Sequence, residues 1–480
     1  MEETGLWDLK RRVSLFVPCA AQIAGLAFLS EKMRRARKAA FPRIGFAVVV
    51  GICPGRRTRR NQGNRGASNR QNEIQVRVQP ESQCPAGSMG ARSRQYLQLA
   101  GSRVCALPVH KLAFMNIAIL GTRGIPGRYG GFETLADELS QRLVERGHRV
   151  RVYCRRPFTN PEDVFDHRIQ RVILPTLSNK HFDTLFHTFL SILHVIFTDV
   201  EVILICNVAS SPFAWLPRLF GKPTALNVDG LDRKRRKWNF IGRAFLHFCE
   251  VLSTLTPTRV ITDARAGQDY YKKRYGADSA MIGYGAKPMP NSNHFNQFGL
   301  NSRKYILYVA RLEPENNAEL VIQAYRELQT DWPLVVVGGN PYQPGYVEKL
   351  KSLAGDRVVF TGPIYGERYW SLQKNAGLFV FAGEIGGIHP ALVEAMAAGN
   401  AILYLDTEAN RETASGCGIP FQLDTGNLRS RLGELMASPW KMESMRTDAA
   451  DRARKIHSWE TVTDQYEKLF HALLDRRQGG

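Results

Sequence analysis

Two glycine-rich loops, each running into a helical pattern, hold most of the residues in this chain that could do chemistry. The first, GTRGIPGRYGGFE (Gly121–Glu133), supplies five glycines and stops where Phe132, Leu135, Ala136, Leu139 and Leu143 begin to recur at helical spacing. Free amides at a helix start, aided by the helix dipole, favour an anion, so Gly130 and Gly131, with Arg123 and Arg128 in the same loop, form a candidate phosphate or acceptor cradle. A glycine turn serving only strand-to-helix packing is the alternative. A dinucleotide site would want an acidic residue at the end of the second strand, where Cys154-Arg155-Arg156 stands instead. The second loop, Gly386-Gly387-Ile388-His389-Pro390, leads into ALVEAMAAG, with Pro390 suited to the first helical turn and Gly399 to the stop. Glu394 falls one turn into that helix, where a carboxylate can accept both hydroxyls of a ribose; a merely solvated Glu is the plain alternative. Arg311 closes the apolar run YILYVAR, a position for a permanent cation facing a diphosphate or for an ordinary ion-pair partner.

The elements that must position these residues alternate. Strands are expected at Asn116–Leu120, Arg149–Cys154, Glu201–Cys206, Pro223–Val228 and Arg259–Thr262, with helices at Phe182–Phe197 and Asn239–Leu255. After the polar, proline-containing stretch KPMPNSNHFNQFGLNS a second series follows. Its strands are Tyr305–Ala310, Pro333–Val337, Val358–Thr361, Leu378–Phe381 and Ala401–Leu405, separated by helices at Ala318–Gln329, Tyr346–Leu353, Gly366–Lys374 and Pro390–Ala398. The pattern predicts an α/β chain of two doubly wound, Rossmann-like domains, 115–290 and 303–455, joined by a linker at 291–302 and facing each other across a cleft. A last helix at 456–480, apolar at Trp459, Val462, Tyr466, Leu469 and Leu473, closes the chain.

Composition agrees with a chain whose bulk folds: 480 residues, 44% hydrophobic and 23% charged, exclude collagenous, wholly disordered and polytopic membrane classes. Eight cysteines without a C-x-x-C pair argue against a structural zinc site or a disulfide framework and make a reducing compartment the default. The net charge of +21 is uneven, since residues 1–114 hold 20 Lys/Arg against 6 Asp/Glu. Tracts there such as GRRTRRNQGNRGASNRQNE cannot bury enough apolar surface to offset ordering entropy, so 1–114 is expected to be a disordered, basic leader. Val13–Ser30 is long enough for a short membrane anchor, but Pro18, Gln22 and Gly25 weaken it. Because Met115 opens directly onto NIAIL, the upstream region reads as leader sequence that the working protein does not need.

Four ordered segments carry a resemblance to a known family: MNIAILGTRGIPGRYGGFETLADELSQRLVERGHRVRVYCR, VDGLDRKRRKW, VARLEPENN and GGIHPALVEAMAAG. Together they resemble the rhamnosyltransferase-like branch of family 4 of the retaining glycosyltransferases, across roughly Met115 to Leu474. The resemblance implies the GT-B fold and transfer of a sugar from a nucleotide-diphosphate donor to an acceptor. It also implies donor binding by the C-terminal domain, acceptor binding by the N-terminal one, and a final helix that crosses back to the N-terminal domain. Two positions depart from the wider family. Its E-x7-E pattern keeps Glu394 but has Gly386 in place of the first Glu, and its Arg-x4-Lys clamp keeps Arg311 but has Asn316 in place of Lys. The amides of Gly386, Gly387 and Ile388 and the side chain of His389 are then the expected donor-sugar contacts, with Glu384 behind them, and the missing cation is sought at Gly130-Gly131, Arg123 or Arg128. Asp229 in NVDGLD is expected to orient the acceptor or sugar, or only to form a turn before Gly230. No Asp-x-Asp is present to hold a metal, and the resemblance implies metal-independent, retaining transfer without a cofactor.

The run Arg233-Lys234-Arg235-Arg236-Lys237 beside Trp238 is either a solvated loop or a patch that docks on anionic lipid, which would set the acceptor site beside a membrane carrying a lipid-linked sugar. Nucleic acid is a poorer explanation of the charge, because no recognition module accompanies it. His181, His187 and His194 are expected to pack rather than ligate. The working expectation is a cytoplasmic enzyme at the inner membrane face, making surface polysaccharide or a lipid-linked oligosaccharide from a rhamnose or other hexose donor. A GT-B protein that binds nucleotide or glycan without transfer is the alternative, and an NADP-binding protein using Arg155 is the remote third.

Overall fold

In the computed structural model, residues 114–478 are described, apart from 128–129, 178–181, 237, 290 and 342. The expected leader, the apolar run Val13–Ser30, Arg128 and His181 therefore lie outside the described residues. From Ala113 to Gly480 the chain forms one compact unit.

Aliphatic runs too short for helices and bounded by glycine or polar turns become the central strands. The first half runs β1 (Asn116–Leu120), α1 (Gly131–Glu145), β2 (Arg149–Arg155), β3 (Gln170–Leu174), α2 (Asp183–Val195), β4 (Val202–Cys206), β5 (Thr224–Asn227), α3 (Phe240–Ser253), β6 (Arg259–Thr262), α4 (Arg265–Tyr275) and β7 (Ser279–Met281). These strands form one sheet in the order β3-β2-β1-β4-β5-β6-β7, every pairing parallel. Alternate residues of β1 supply both layers: Ile117 and Ile119 enter the core under α1, Ala118 and Leu120 the core under α2 and α3.

The second half runs β8 (Ile306–Val309), α5 (Ala318–Arg326), β9 (Leu334–Val337), α6 (Pro344–Leu353), β10 (Val358–Gly362), α7 (Gly366–Asn375), β11 (Leu378–Phe381), α8 (Pro390–Ala397), β12 (Ala401–Leu405), α9 (Glu408–Ala414), β13 (Ile419–Phe421), α10 (Thr425–Met436) and α11 (Pro439–Ile456). Its sheet has the order β10-β9-β8-β11-β12-β13, again parallel. Within the segment expected as a linker, His294–Phe298 forms a 3-10 turn, and Phe295 and Leu300 are buried in the core of this second sheet.

The last helix, α12 (Trp459–Gln478), returns to the first sheet, where Trp459, Val462, Tyr466, Phe470 and Leu473 join the core under α1. Polar contacts fix its register. Arg146 pairs with Glu460, Asp464 and Glu467 at 2.6–2.9 Å, buried His148 meets Glu467 at 2.9 Å, and Asn227 donates to the Tyr466 hydroxyl at 3.0 Å.

In both sheets the strand order reverses beside the first strand, between β1 and β4 and between β8 and β11. Ligands of doubly wound folds bind outside the carboxyl ends of strands at such switch points. The loops leaving β1 and β11 are the two glycine-rich segments.

Candidate functional site

A cleft of about 1120 Å³ opens between the carboxyl ends of the two sheets. One wall is the first glycine loop and the start of α1; the other is built from the loops after β8, β9 and β10 and the start of α8. Neither α1 nor α8 has a side-chain cap at its N-terminus. At the start of α1 the Gly131–Glu133 amides therefore face a ligand's anionic groups, whereas in α8 Pro390 brings no N–H and Leu392 donates to the His389 carbonyl at 3.1 Å, which leaves the Ala391 amide.

Of the residues singled out from sequence, Gly130, Gly131, Arg311, His389 and Glu394 line the cleft. Gly131 sits in tight space, because a Cβ there would stand 3.0 Å from the Tyr284 hydroxyl and 3.3 Å from Pro390. Asp229, Gly386, Gly387 and Ile388 lie at the seam where the domains touch, beside the cleft rather than on its wall: a Cβ on Gly230 would reach within 2.5 Å of the Gly386 Cα. Arg123 is not on the wall either; its guanidinium covers the Phe158 ring at 4.3 Å.

Glu394 is buried, and the Tyr369 hydroxyl donates to it at 2.5 Å while Gln373 donates to that hydroxyl. Burial pushes its carboxyl up to about 7, opposed by the Tyr369 hydrogen bond. A raised pKa means Glu394 is largely neutral below pH 7 and accepts paired hydroxyls only when ionised. Nucleoside diphosphate affinity should accordingly rise as pH increases through 7 and level off above it, with about tenfold weaker binding at pH 6 than on the plateau. Titration calorimetry of wild type against Glu394→Gln checks this; equal pH slopes in the two proteins would refute it.

The two departures from the family pattern have physical counterparts. Gly386 adopts φ 156°, and a Cβ there would fall 2.3 Å from the His389 ring, which therefore occupies the space a longer residue would need. His389 packs against Phe381 at 4.7 Å, and burial together with Arg235 and Arg311 lowers its pKa to about 3, so the imidazole is neutral. Asn316 is committed to the backbone: its amide donates to the Arg311 carbonyl at 2.7 Å, and its own carbonyl accepts from Tyr308.

Two further cations that sequence reasoning did not single out line the cleft. Arg235, 7% exposed, reaches the cleft from the first domain, bonded to Asp232 at 2.6 Å and 3.6 Å from Glu313. Burial disfavours its charge, but the carboxylates of Asp232, Asp229 and Glu313 more than offset that. Lys287 also lines the cleft, 2.9 Å from Glu138 and over the Trp370 ring. A run of five cations does not show which member turns inward, and Lys287 sits in a stretch that reads as linker.

The same geometry revises the basic patch. Arg233 pairs with Glu250 at 2.9 Å, Arg235 is buried, and Arg236 binds Glu384 at 2.8 Å, so Glu384 is an inter-domain tether. Arg155 is equally committed, to Asp183, Thr184 and the Thr122 carbonyl, which leaves it unavailable to an NADP phosphate. His187 is buried against the Cys154 carbonyl and His194 meets Tyr153; both are packing residues.

Comparison with known proteins places each half. Residues 129–283 match the family described as Glycosyltransferase Family 4, and residues 291–454 match Glycosyl transferases group 1. A GDP-mannose-dependent alpha-(1-6)-phosphatidylinositol monomannoside mannosyltransferase of Mycolicibacterium smegmatis is 25% identical over 201 residues, 38% of this chain and 51% of that protein. An N-acetylgalactosamine-N,N'-diacetylbacillosaminyl-diphospho-undecaprenol 4-alpha-N-acetylgalactosaminyltransferase of Campylobacter jejuni is 27% identical over 128 residues, 26% of this chain and 34% of that protein. The chain thus spans about half the length, or less, of these curated relatives. Sucrose-phosphate synthase from Thermosynechococcus elongatus superposes with a TM-score of 0.64 at 18% identity, covering 75% of this chain and 100% of that one. The fold is GT-B, two parallel sheets with helices on both faces.

Proposed function

We propose that this GT-B, glycosyltransferase family 4-like chain is a retaining glycosyltransferase that moves a hexose, rhamnose among the candidates, from a nucleoside-diphosphate donor to a glycan or lipid-linked acceptor in surface polysaccharide synthesis. The carrying observation is the convergence, on one cleft, of a ribose-binding carboxylate (Glu394), two permanent cations from opposite domains (Arg311 and Arg235) and two uncapped helix starts. The departing diphosphate gains negative charge in the transition state, and cations and amides already aimed at it lower the barrier with neither a general acid nor a metal. Arg311 and Arg235 hold the phosphates, His389 meets the sugar from the cleft wall with the Gly386–Ile388 loop backing it at the seam, and Asp229 orients the acceptor or sugar from that seam. The mannosyl and N-acetylgalactosaminyl relatives support a nucleotide-sugar donor and a lipid-borne acceptor. The non-catalytic alternative leaned on Gly386 and Asn316, and Arg235 replaces the charge that Asn316 lacks. Incubation with nucleotide sugars and bacterial lipid extract, followed by release of nucleoside diphosphate and the anomeric configuration of the product, tests the proposal. Diphosphate release with a new, configuration-retained glycoside supports it; no turnover of any donor counts against it.

The proposed site of work is a membrane surface. Among the described residues no helix is long and apolar enough to cross a bilayer. The first domain nevertheless exposes large apolar side chains along one stretch of sequence, with Phe240 at 85% and Ile241 at 75%, joined by Leu219 and Leu255. Exposed Arg218 and Arg243 accompany them, and Asp229 and Asp232 are the only acidic residues between 208 and 249. Exposed apolar side chains accompanied by positive charge suit peripheral docking on anionic lipid. Phe240→Asp/Ile241→Asp is expected to cut co-sedimentation with phosphatidylglycerol vesicles about a hundredfold, from two apolar side chains worth about 1.5–3 kcal/mol each, while leaving the melting temperature unchanged. Equal binding by wild type and variant would contradict this.

A further inference from the structure

At the carboxyl end of β6, Asp263 is 1% exposed, and no side-chain donor reaches either of its carboxylate oxygens; the backbone amides of Asp263 and Ile388 bear on them and only partly offset burial. Gly387 of the opposite domain is pressed onto it so closely that a Cβ there would collide with the carboxylate at 1.9 Å. From the end of β5, Asp229 faces Asp263 as a neighbouring charge and within hydrogen-bonding reach. Asp229 is itself fixed in a left-handed conformation at φ 56°, its N–H donating to the Asn227 side chain at 3.0 Å. Beside it, Gly230 lies against Gly386. Two ionised carboxylates cannot share such a place, whereas one proton between them supplies the missing side-chain hydrogen bond.

We propose that Asp263 is a positioning residue, the protonated half of an acid–carboxylate pair whose O–H is donated to Asp229, and that this pair clasps the Gly386–Ile388 loop against the first domain. Burial and the adjacent Asp229 both raise the Asp263 pKa. The groups packed around the pair do not replace the proton. Tyr284, Tyr466 and Cys206 are held neutral by burial, His389 on the facing loop is neutral, and Arg235 bears on Asp229. No bond to substrate is made or broken: the O–H of Asp263 is the donor and an Asp229 oxygen the acceptor. Once alkaline pH removes the shared proton, two adjacent negative charges face each other under Gly387. The loop loses its seat, and turnover falls. An alkaline limb in the rate profile therefore belongs to Asp263.

The activity half of this inference rests on the transferase reading; the proton does not, and can be observed without substrate. In the full chain at pH 7, infrared difference spectra of wild type minus Asp263→Asn are expected to show the C=O stretch of a protonated carboxylic acid, lost when the pH is raised. Asp263→Asn keeps a donor to Asp229 without an ionisable proton. It should fold as wild type does, retain kcat within about threefold at pH 7 and lack the alkaline limb, while Asp263→Ala should lose at least tenfold in kcat. Absence of the acid band at pH 7 would overturn the proposal, as would an alkaline limb in Asp263→Asn identical to that of wild type. An acid band in a chain that turns over no donor would uphold the pair and count only against the transferase.

Discussion

Replacing Arg235 with methionine is expected to cost about 3–5 kcal/mol of stability and at least a hundredfold in donor turnover. Both effects have one cause. Arg235 is the buried counter-ion of Asp232 and neighbours Glu313 and Glu315, whose side chain is fully buried. Methionine preserves the packing of the stem but leaves those carboxylates facing one another. On the cleft side it removes the cation that stands where Asn316 offers none. Arg235→Lys separates the effects, because it keeps a charge without the planar fork. Stability should largely recover in urea titrations, while kcat recovers only in part, since one ammonium cannot hold Asp232 and a phosphate in the same geometry. Unaltered donor turnover in Arg235→Met would remove Arg235 from the mechanism.

Glu394→Ala should weaken nucleoside diphosphate binding about a hundredfold or more. Two hydroxyl bonds to a carboxylate are worth about 1.5–3 kcal/mol each, and the Tyr369 hydroxyl is left in a buried site without its acceptor. Free phosphate or pyrophosphate, which has no ribose, should bind wild type and variant alike. A variant that lost both kinds of ligand equally would point to a collapsed site instead of a missing ribose contact.

The strands were legible where an aliphatic run sits in the middle of a parallel sheet. β1, β2, β4–β6 and β8–β12 each lie within one residue of the run that predicts them: burial on both faces makes most of them continuous apolar runs, β2 shows instead as an alternating strand, and β10, though at an edge, keeps the apolar run Val358–Phe360. β3, β7 and β13 are edge strands of three to five residues with partly exposed side chains, too short and too mixed for a pattern. Helix α4, RAGQDYYKKRY, buries only Tyr271 and shows no apolar stripe. The cleft-facing glycines, Arg311, His389 and Glu394 were legible because they end strands or begin helices. Arg235, Lys287 and Tyr369 were not, since nothing local separates an inward cation or phenol from a solvated one. Asp263 carried a usable sign, an acid at the carboxyl end of an apolar strand, overlooked because Asp229 has the same sign in a more conspicuous segment.

The central claim is that the cleft between the two sheets holds a nucleoside diphosphate through Glu394. Thermal unfolding of the full chain with ADP, GDP, UDP and dTDP, and with their sugars, tests it most directly, because a ligand specific to the folded state at a hundred times its Kd adds about 2.7 kcal/mol. The expected result is stabilisation by one base series, abolished in Glu394→Ala. A cooperatively unfolding chain that none of these ligands stabilises, or one stabilised equally in Glu394→Ala, would contradict it.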